Sequence, residues 1–161
     1  MTPDSAIDIE DYAKRCVEIG SKVLSSVEHG WQGQYYNTYD TAKKYDLKFI
    51  FGTEAYWVKD RKEKDNTNAH IIILAKNETG RRAINNILSI ANEEGYYYKP
   101  RIDLELLFSL PPKDVFVTSA CIGFWKYDDA FNTFLKLHEY FKENFMAEVQ
   151  YHDVESQKYL N

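Results

Sequence analysis

No uninterrupted apolar run in this 161-residue chain approaches the length of a membrane span, and no signal-peptide core follows Met1. Cysteine is nearly absent. The two present, Cys16 and Cys121, form neither a disulfide framework nor a zinc-finger spacing, which points to a reduced, cytoplasmic setting. Basic residues are outnumbered. The 20 Lys and Arg against 25 Asp and Glu leave a net charge of −5, which argues against a general DNA-coating surface but allows a local basic groove. The chain contains no internal repeat and no low-complexity segment. Aromatic side chains, by contrast, are abundant at 16% of residues, carried by 13 Tyr and 9 Phe, so the core and any partner face are aromatic-rich. With 44% hydrophobic and 28% charged residues, the composition suits a single domain over residues 1–161, large enough to bury a core.

Two short buried strands organise the reading. VLSSV (23–27) empties into Glu28-His29-Gly30, and LKFIFGTEAYWV (47–58) carries Gly52-Thr53-Glu54. A ligand-type side chain just past the carboxyl end of successive buried strands is the layout of an α/β active-site rim. The second strand is long enough to bend at Gly52 and run beyond the sheet. Residues 59–68 (KDRKEKDNTN) read as a solvated hairpin tip. The strand at 70–75 returns from that tip, and antiparallel pairing would bring His70 back beside Glu54.

Helices separate the strands. Residues 8–18 form one, capped by Asp8, with Tyr12, Ala13, Cys16 and Ile19 on one face and Gly20 closing it. Too few residues precede it for the strand that an α/β layout would place there. A second helix spans 34–45, its basic Lys43-Lys44 end suiting the negative pole of the helix dipole. Asn77 caps a third over 77–93, with Ala83, Ile84, Ile87, Leu88 and Ala91 as its buried stripe. Pro100 and Arg101 hold GYYYKPRID (95–103) extended, and Asp103 caps a short helix over 104–110. A strand over 114–119 empties into Ala120-Cys121. The helix at 128–143 carries Phe131, Phe134, Leu135, His138 and Phe141 along one stripe. A last strand at 145–151 ends in His152-Asp153, and 155–161 begins another helix. The alternation indicates α/β architecture, an open sheet or a partial barrel with mostly parallel strands and one hairpin.

His29, Glu54, Cys121 and His152 all fall just past strand ends, with His70 beside them. Imidazole, carboxylate and thiolate are ligand types for zinc, manganese or iron, although the spacing is no local metal motif. Each residue also has a plain structural role open to it. His29 could serve the turn, Glu54 could pair with a surface cation, and His70 could cap the hairpin. Cys121 could be a small buried hydrophobe and His152 a loop residue. His138, in mid-helix, reads as structural.

SSVEHGWQG, LKFIFGTEAYWV, AHIIILAKNETGRRAINNILS, EGYYYKPRIDLELL, VTSACIG and MAEVQYHDVESQKYLN together resemble the PHP (polymerase and histidinol phosphatase) domain of bacterial DNA polymerase III alpha subunits. The similarity is co-linear over residues 5–161. His-Gly and Gly-x-Glu are shared with PHP phosphoesterases generally, while the run at 73–77, YYYKPRID and the SAC turn point to the polymerase branch. The resemblance implies a distorted (β/α)7 barrel with a cluster of divalent metal ions at the strand carboxyl ends. Matched by motif, it implies metal-ligand roles for His29, Glu54, His70 and Cys121, adds His152 as a histidine of the polymerase branch, and sets Arg101 where a cation could face a phosphate. Catalytic roles fall to His29, Glu54 and Arg101.

The family's opening His-x-His strand and closing Asp-x-His strand are not in the sequence, nor are palm, thumb and fingers. Weak metal binding and no polymerase activity are therefore expected of this chain alone. The leading reading is the PHP portion of a replicative polymerase subunit, with metal-dependent phosphoester hydrolysis or 3′–5′ exonuclease action on DNA as its chemistry. The alternatives are a standalone phosphoesterase and a noncatalytic module that binds another replication protein. Open strand edges would favour self-association, and no membrane contact is expected.

Overall fold

A computed structural model describes residues 7–67 and 69–150. In chain order the elements are α1 (Ile9–Glu18), β1 (Val23–His29), α2 (Tyr35–Lys44), β2 (Lys48–Trp57), β3 (Ala69–Ala75), α3 (Glu78–Glu94), β4 (Tyr96–Tyr97), β5 (Lys99–Ile102), α4 (Leu104–Phe108), β6 (Val115–Thr118), α5 (Ile122–Trp125), α6 (Ala130–Phe141) and β7 (Phe145–Met146). Among the described residues, no helix is long and apolar enough to cross a membrane.

The sheet is assembled around β2. One edge pairs antiparallel with β3 over residues 52–57; the other is shared, parallel to β1 at residues 48–54 and to β5 at 56–57. β6 runs antiparallel to β3 and parallel to β7, while β4 folds back on β5. It follows that β1, β2, β5, β6 and β7 all point one way, and β3 and β4 the other. The carboxyl ends of the parallel strands therefore share a rim, and β3 starts at it. This is the mixed, mostly parallel α/β arrangement that the alternation of strands and helices predicts.

The pleat divides β2 and β3 into two faces. Thr53, Ala55 and Trp57 pair with Ile73, Ile71 and Ala69, and all six are at most 1% exposed. This face meets Ile84, Ile87, Leu88 and Ala91 of α3, the predicted helix stripe with the exception of Ala83, which is only partly buried. A fully buried isoleucine such as Ile71 contributes roughly 1.5–3 kcal/mol by leaving water. The other face carries Glu54, Tyr56, His70 and Ile72. Gly52 lies on that face too, where a Cβ would come within 2.5 Å of the Leu74 side chain, so close approach to β3, rather than a bend, explains the glycine.

Several expectations are corrected. Phe131 and Leu135 of α6 are 66% and 48% exposed, because the helix turns Ala130, Thr133, Leu137 and Phe141 inward. Weighting bulk over spacing misplaces this stripe: its small members mark the buried side. On α1, Ala13 and Cys16 are buried as expected, but Tyr12 and Ile19 face water. The segment 95–103 is not merely extended loop; it forms the short β4–β5 hairpin. Part of the charge-rich tip is not solvated, since Arg61 is buried against Asp103. The last strand covers only Phe145–Met146 of the expected 145–151, and both His152 and the helix at 155–161 lie outside the described residues.

Candidate metal centre

His29 closes β1, and its register partner on β2 is Glu54. Because parallel partners point to the same face, the pairing alone sets imidazole beside carboxylate. The next turn is built to stay close. Gly30 has φ +70°, a left-handed value costly to other residues, and its amide donates to the Glu54 carbonyl at 2.9 Å. A Cβ on Gly30 would stand 2.9 Å from Pro100 Cγ and 3.1 Å from Tyr56 Cδ2. Thr53 Oγ1 donates to the Glu28 carbonyl at 3.0 Å and Gln32 Nε2 to the Gly52 carbonyl at 2.6 Å, stapling the β1–β2 rim.

His70 arrives from the opposite direction. It is the register partner of Tyr56, two residues beyond Glu54 and on the same face. Its Nδ1 lies 3.3 Å from Glu54 Oε1, while the other carboxylate oxygen lies 3.7 Å from Nδ1 of His29. The two imidazoles stand 4.7 Å apart, centroid to centroid. Tyr56 backs both, with its ring 5.5 Å from that of His29 and 5.1 Å from that of His70.

Cys121 joins them from β6. Extending the β3–β6 register past Thr118 and Ile72 brings the chain level with His70 at Ala120, whose φ of 49° turns it sharply. Cys121 Sγ then lies 3.3 Å from His70 Nδ1. One ligand atom each from His29, Glu54 and His70 fall within 4.8 Å of one another. Ligands 2.0–2.3 Å from a tetrahedral zinc ion are spaced roughly 3.3–3.8 Å apart. The contacts of 3.3 and 3.7 Å from Glu54 to the two imidazoles match that spacing, so His29, Glu54 and His70 fit a divalent cation, with the Cys121 thiol against His70.

Of the residues singled out in the sequence, the fold gathers His29, Glu54, His70 and Cys121. His138 sits on the exposed side of α6, its ring stacked at 6.4 Å on Phe134. Arg101 neighbours the centre but points inward. It is 1% exposed, with Nη1 donating to the Thr67 carbonyl and Nη2 to the Tyr97 carbonyl at 3.5 Å. Its Cζ lies 5.5 Å from the centroid of the Tyr56 ring, the ring that backs both imidazoles. Tyr56 and Lys99 escaped sequence reasoning. Strand period alone places Tyr56 on the face of Glu54; nothing local marks Lys99, whose Nζ lies 4.3 Å from the Tyr56 ring centroid.

Comparison with known proteins gives the lineage. The sequence model of the PHP domain matches residues 1–152. The DNA polymerase III subunit alpha of Aquifex aeolicus is 33% identical over 87% of this chain, and that of Borreliella burgdorferi 32% identical over 98%. The chain spans only 13% and 15% of those proteins. A solved structure from Bifidobacterium adolescentis, described as a metal-dependent phosphoesterase, overlaps 56% of this chain and 29% of its own at 12% identity, with a TM-score of 0.41. On the match over nearly its whole length, the chain belongs to the PHP domain family.

Proposed function

We propose that this chain is the PHP portion of a DNA polymerase III alpha subunit, and that the rim centre hydrolyses phosphoesters with a divalent cation held by His29, Glu54, His70 and Cys121. The convergence of two imidazoles and a carboxylate at metal-ligand spacing, with a thiol against one imidazole, carries this reading. The mixed donor set suits zinc, with manganese or iron as the other candidates. A bound cation supplies Lewis-acid charge and lowers the pKa of a water molecule. The protein's own part is to hold donors from β1, β2, β3 and the end of β6 in one place. Glu54 presents one oxygen to each imidazole, and the Tyr56 ring lies against both. The substrate would be DNA or a nucleotide, with removal of 3′-terminal nucleotides as the finer form of the activity. The setting would be the cytoplasm, where the Cys121 thiol stays reduced.

The test is zinc and manganese titration of the purified chain, followed by turnover of a generic phosphodiester and of a 3′-labelled oligonucleotide. His29→Ala and Glu54→Gln should abolish turnover with the fold intact. A chain that takes up stoichiometric cation yet turns over neither substrate would be a noncatalytic module.

A further inference from the structure

We infer that Lys99 anchors the substrate phosphate at this centre, with the Tyr56 ring as its seat. The inference rests on the phosphoesterase reading and names a residue that neither motif nor family comparison assigns.

Three observations converge on Lys99. The β2–β5 register pairs Tyr56 with Arg101, and β1 occupies that edge of β2 up to Glu54, so Lys99, two residues before Arg101, enters beside the turn that follows His29. Its Nζ lies 4.3 Å from the centroid of Tyr56, the ring that contacts both imidazoles. A cation over a ring face is held by the quadrupole, which here fixes the ammonium at the edge of the site. Finally, Pro100 is wedged against Gly30, where a Cβ would meet its ring at 2.9 Å, so the start of β5 is locked to the turn that follows His29.

The neighbouring cation, Arg101, lies over the same ring, its Cζ 5.5 Å from the centroid, but is held in place by the backbone. Arg101 is buried and bonded to backbone carbonyls, so its work is to tie β5 to the 59–67 loop and to β4. Lys99 is only half-buried. Its ammonium is a compact point charge on a flexible stem, able to follow a phosphate oxygen without leaving the ring.

Lys99→Met keeps the stem and removes the charge. Inorganic phosphate is titrated into the zinc-loaded chain by calorimetry, and zinc affinity is measured separately. Losing one charge-assisted contact should weaken phosphate binding about 10-fold or more, with zinc affinity unchanged. Lys99→Arg should recover part of the loss. Equal phosphate affinity in wild type and Lys99→Met would overturn the inference. So would a parallel fall in zinc affinity, which would make Lys99 a structural support. Failure of the phosphoesterase reading shows separately, as absence of turnover in the wild-type chain.

Discussion

Glu54 and His70 reach each other across an antiparallel strand pair, 3.3 Å from carboxylate to imidazole, although they are not register partners. Each is set one pleat step along the same face, a diagonal relationship within reach of side chains of this length. The carboxylate thus spans both imidazoles, and a cation entering between them replaces these contacts by stronger ones. Zinc at about 100 times its dissociation constant should stabilise the fold by about 2.7 kcal/mol. That corresponds to a rise in melting temperature of roughly 5–10 °C, reversed by chelator. Glu54→Gln should blunt the rise in the same melting experiment.

Gly30 is under two constraints at once, a left-handed backbone and a Cβ position already filled by Pro100 and Tyr56. Gly30→Ala should cost about 1–2 kcal/mol in urea unfolding from the backbone alone, and more from the clash. Because the displaced ring is the one behind both imidazoles, zinc affinity should fall as well. Unchanged zinc affinity in a folded variant would show that Tyr56 does not position the ligands.

Arg61 is buried with Asp103, its Nη1 2.9 Å from Oδ2, and it also pairs with Glu94 and Glu105. Arg61→Met leaves the Asp103 carboxylate enclosed without its cation, and the expected loss is about 3 kcal/mol by denaturant midpoint. Asp103→Asn should cost less. Its retained side-chain oxygen can still accept from Leu106 N, the contact that caps α4.

Acid should unfold the chain partly through Glu78. Hydrogen bonds from Arg81, then Arg82, lower its carboxyl from the ordinary 4.5 to about 2. A group lowered on folding stabilises fully above its unfolded value, so this contribution is present above pH 4.5 and lost as pH falls towards 2. Glu105, held low by its hydrogen bond from Arg61, acts with the same sign. Thermal melts across this window should show a shallower decline for Glu78→Gln than for wild type.

The sequence by itself determined the local elements and the ends at which ligands gather. Asp8, Asn77 and Asp103 cap the helices as their side chains allow, and the β-branched runs at β1 and β3 form strands. His29, His70 and Cys121 were legible because each lies at or just beyond a strand end, where the strands share a rim, whereas Glu54 lies inside β2 and reaches them through its register with β1 and β3. Tertiary structure alone decided the fate of the long, ambivalent side chains. Lys99 and Arg101 have the same local context, yet one stays at the rim and the other enters the interior; Arg61, in a run of exposed charge, is buried because Asp103 meets it there. The faces of α6 were settled the same way, with Phe131 outward and Ala130 inward. A strand's alternation is written in its own backbone, but a flexible cation or a helix stripe takes its side from whichever neighbour the fold delivers.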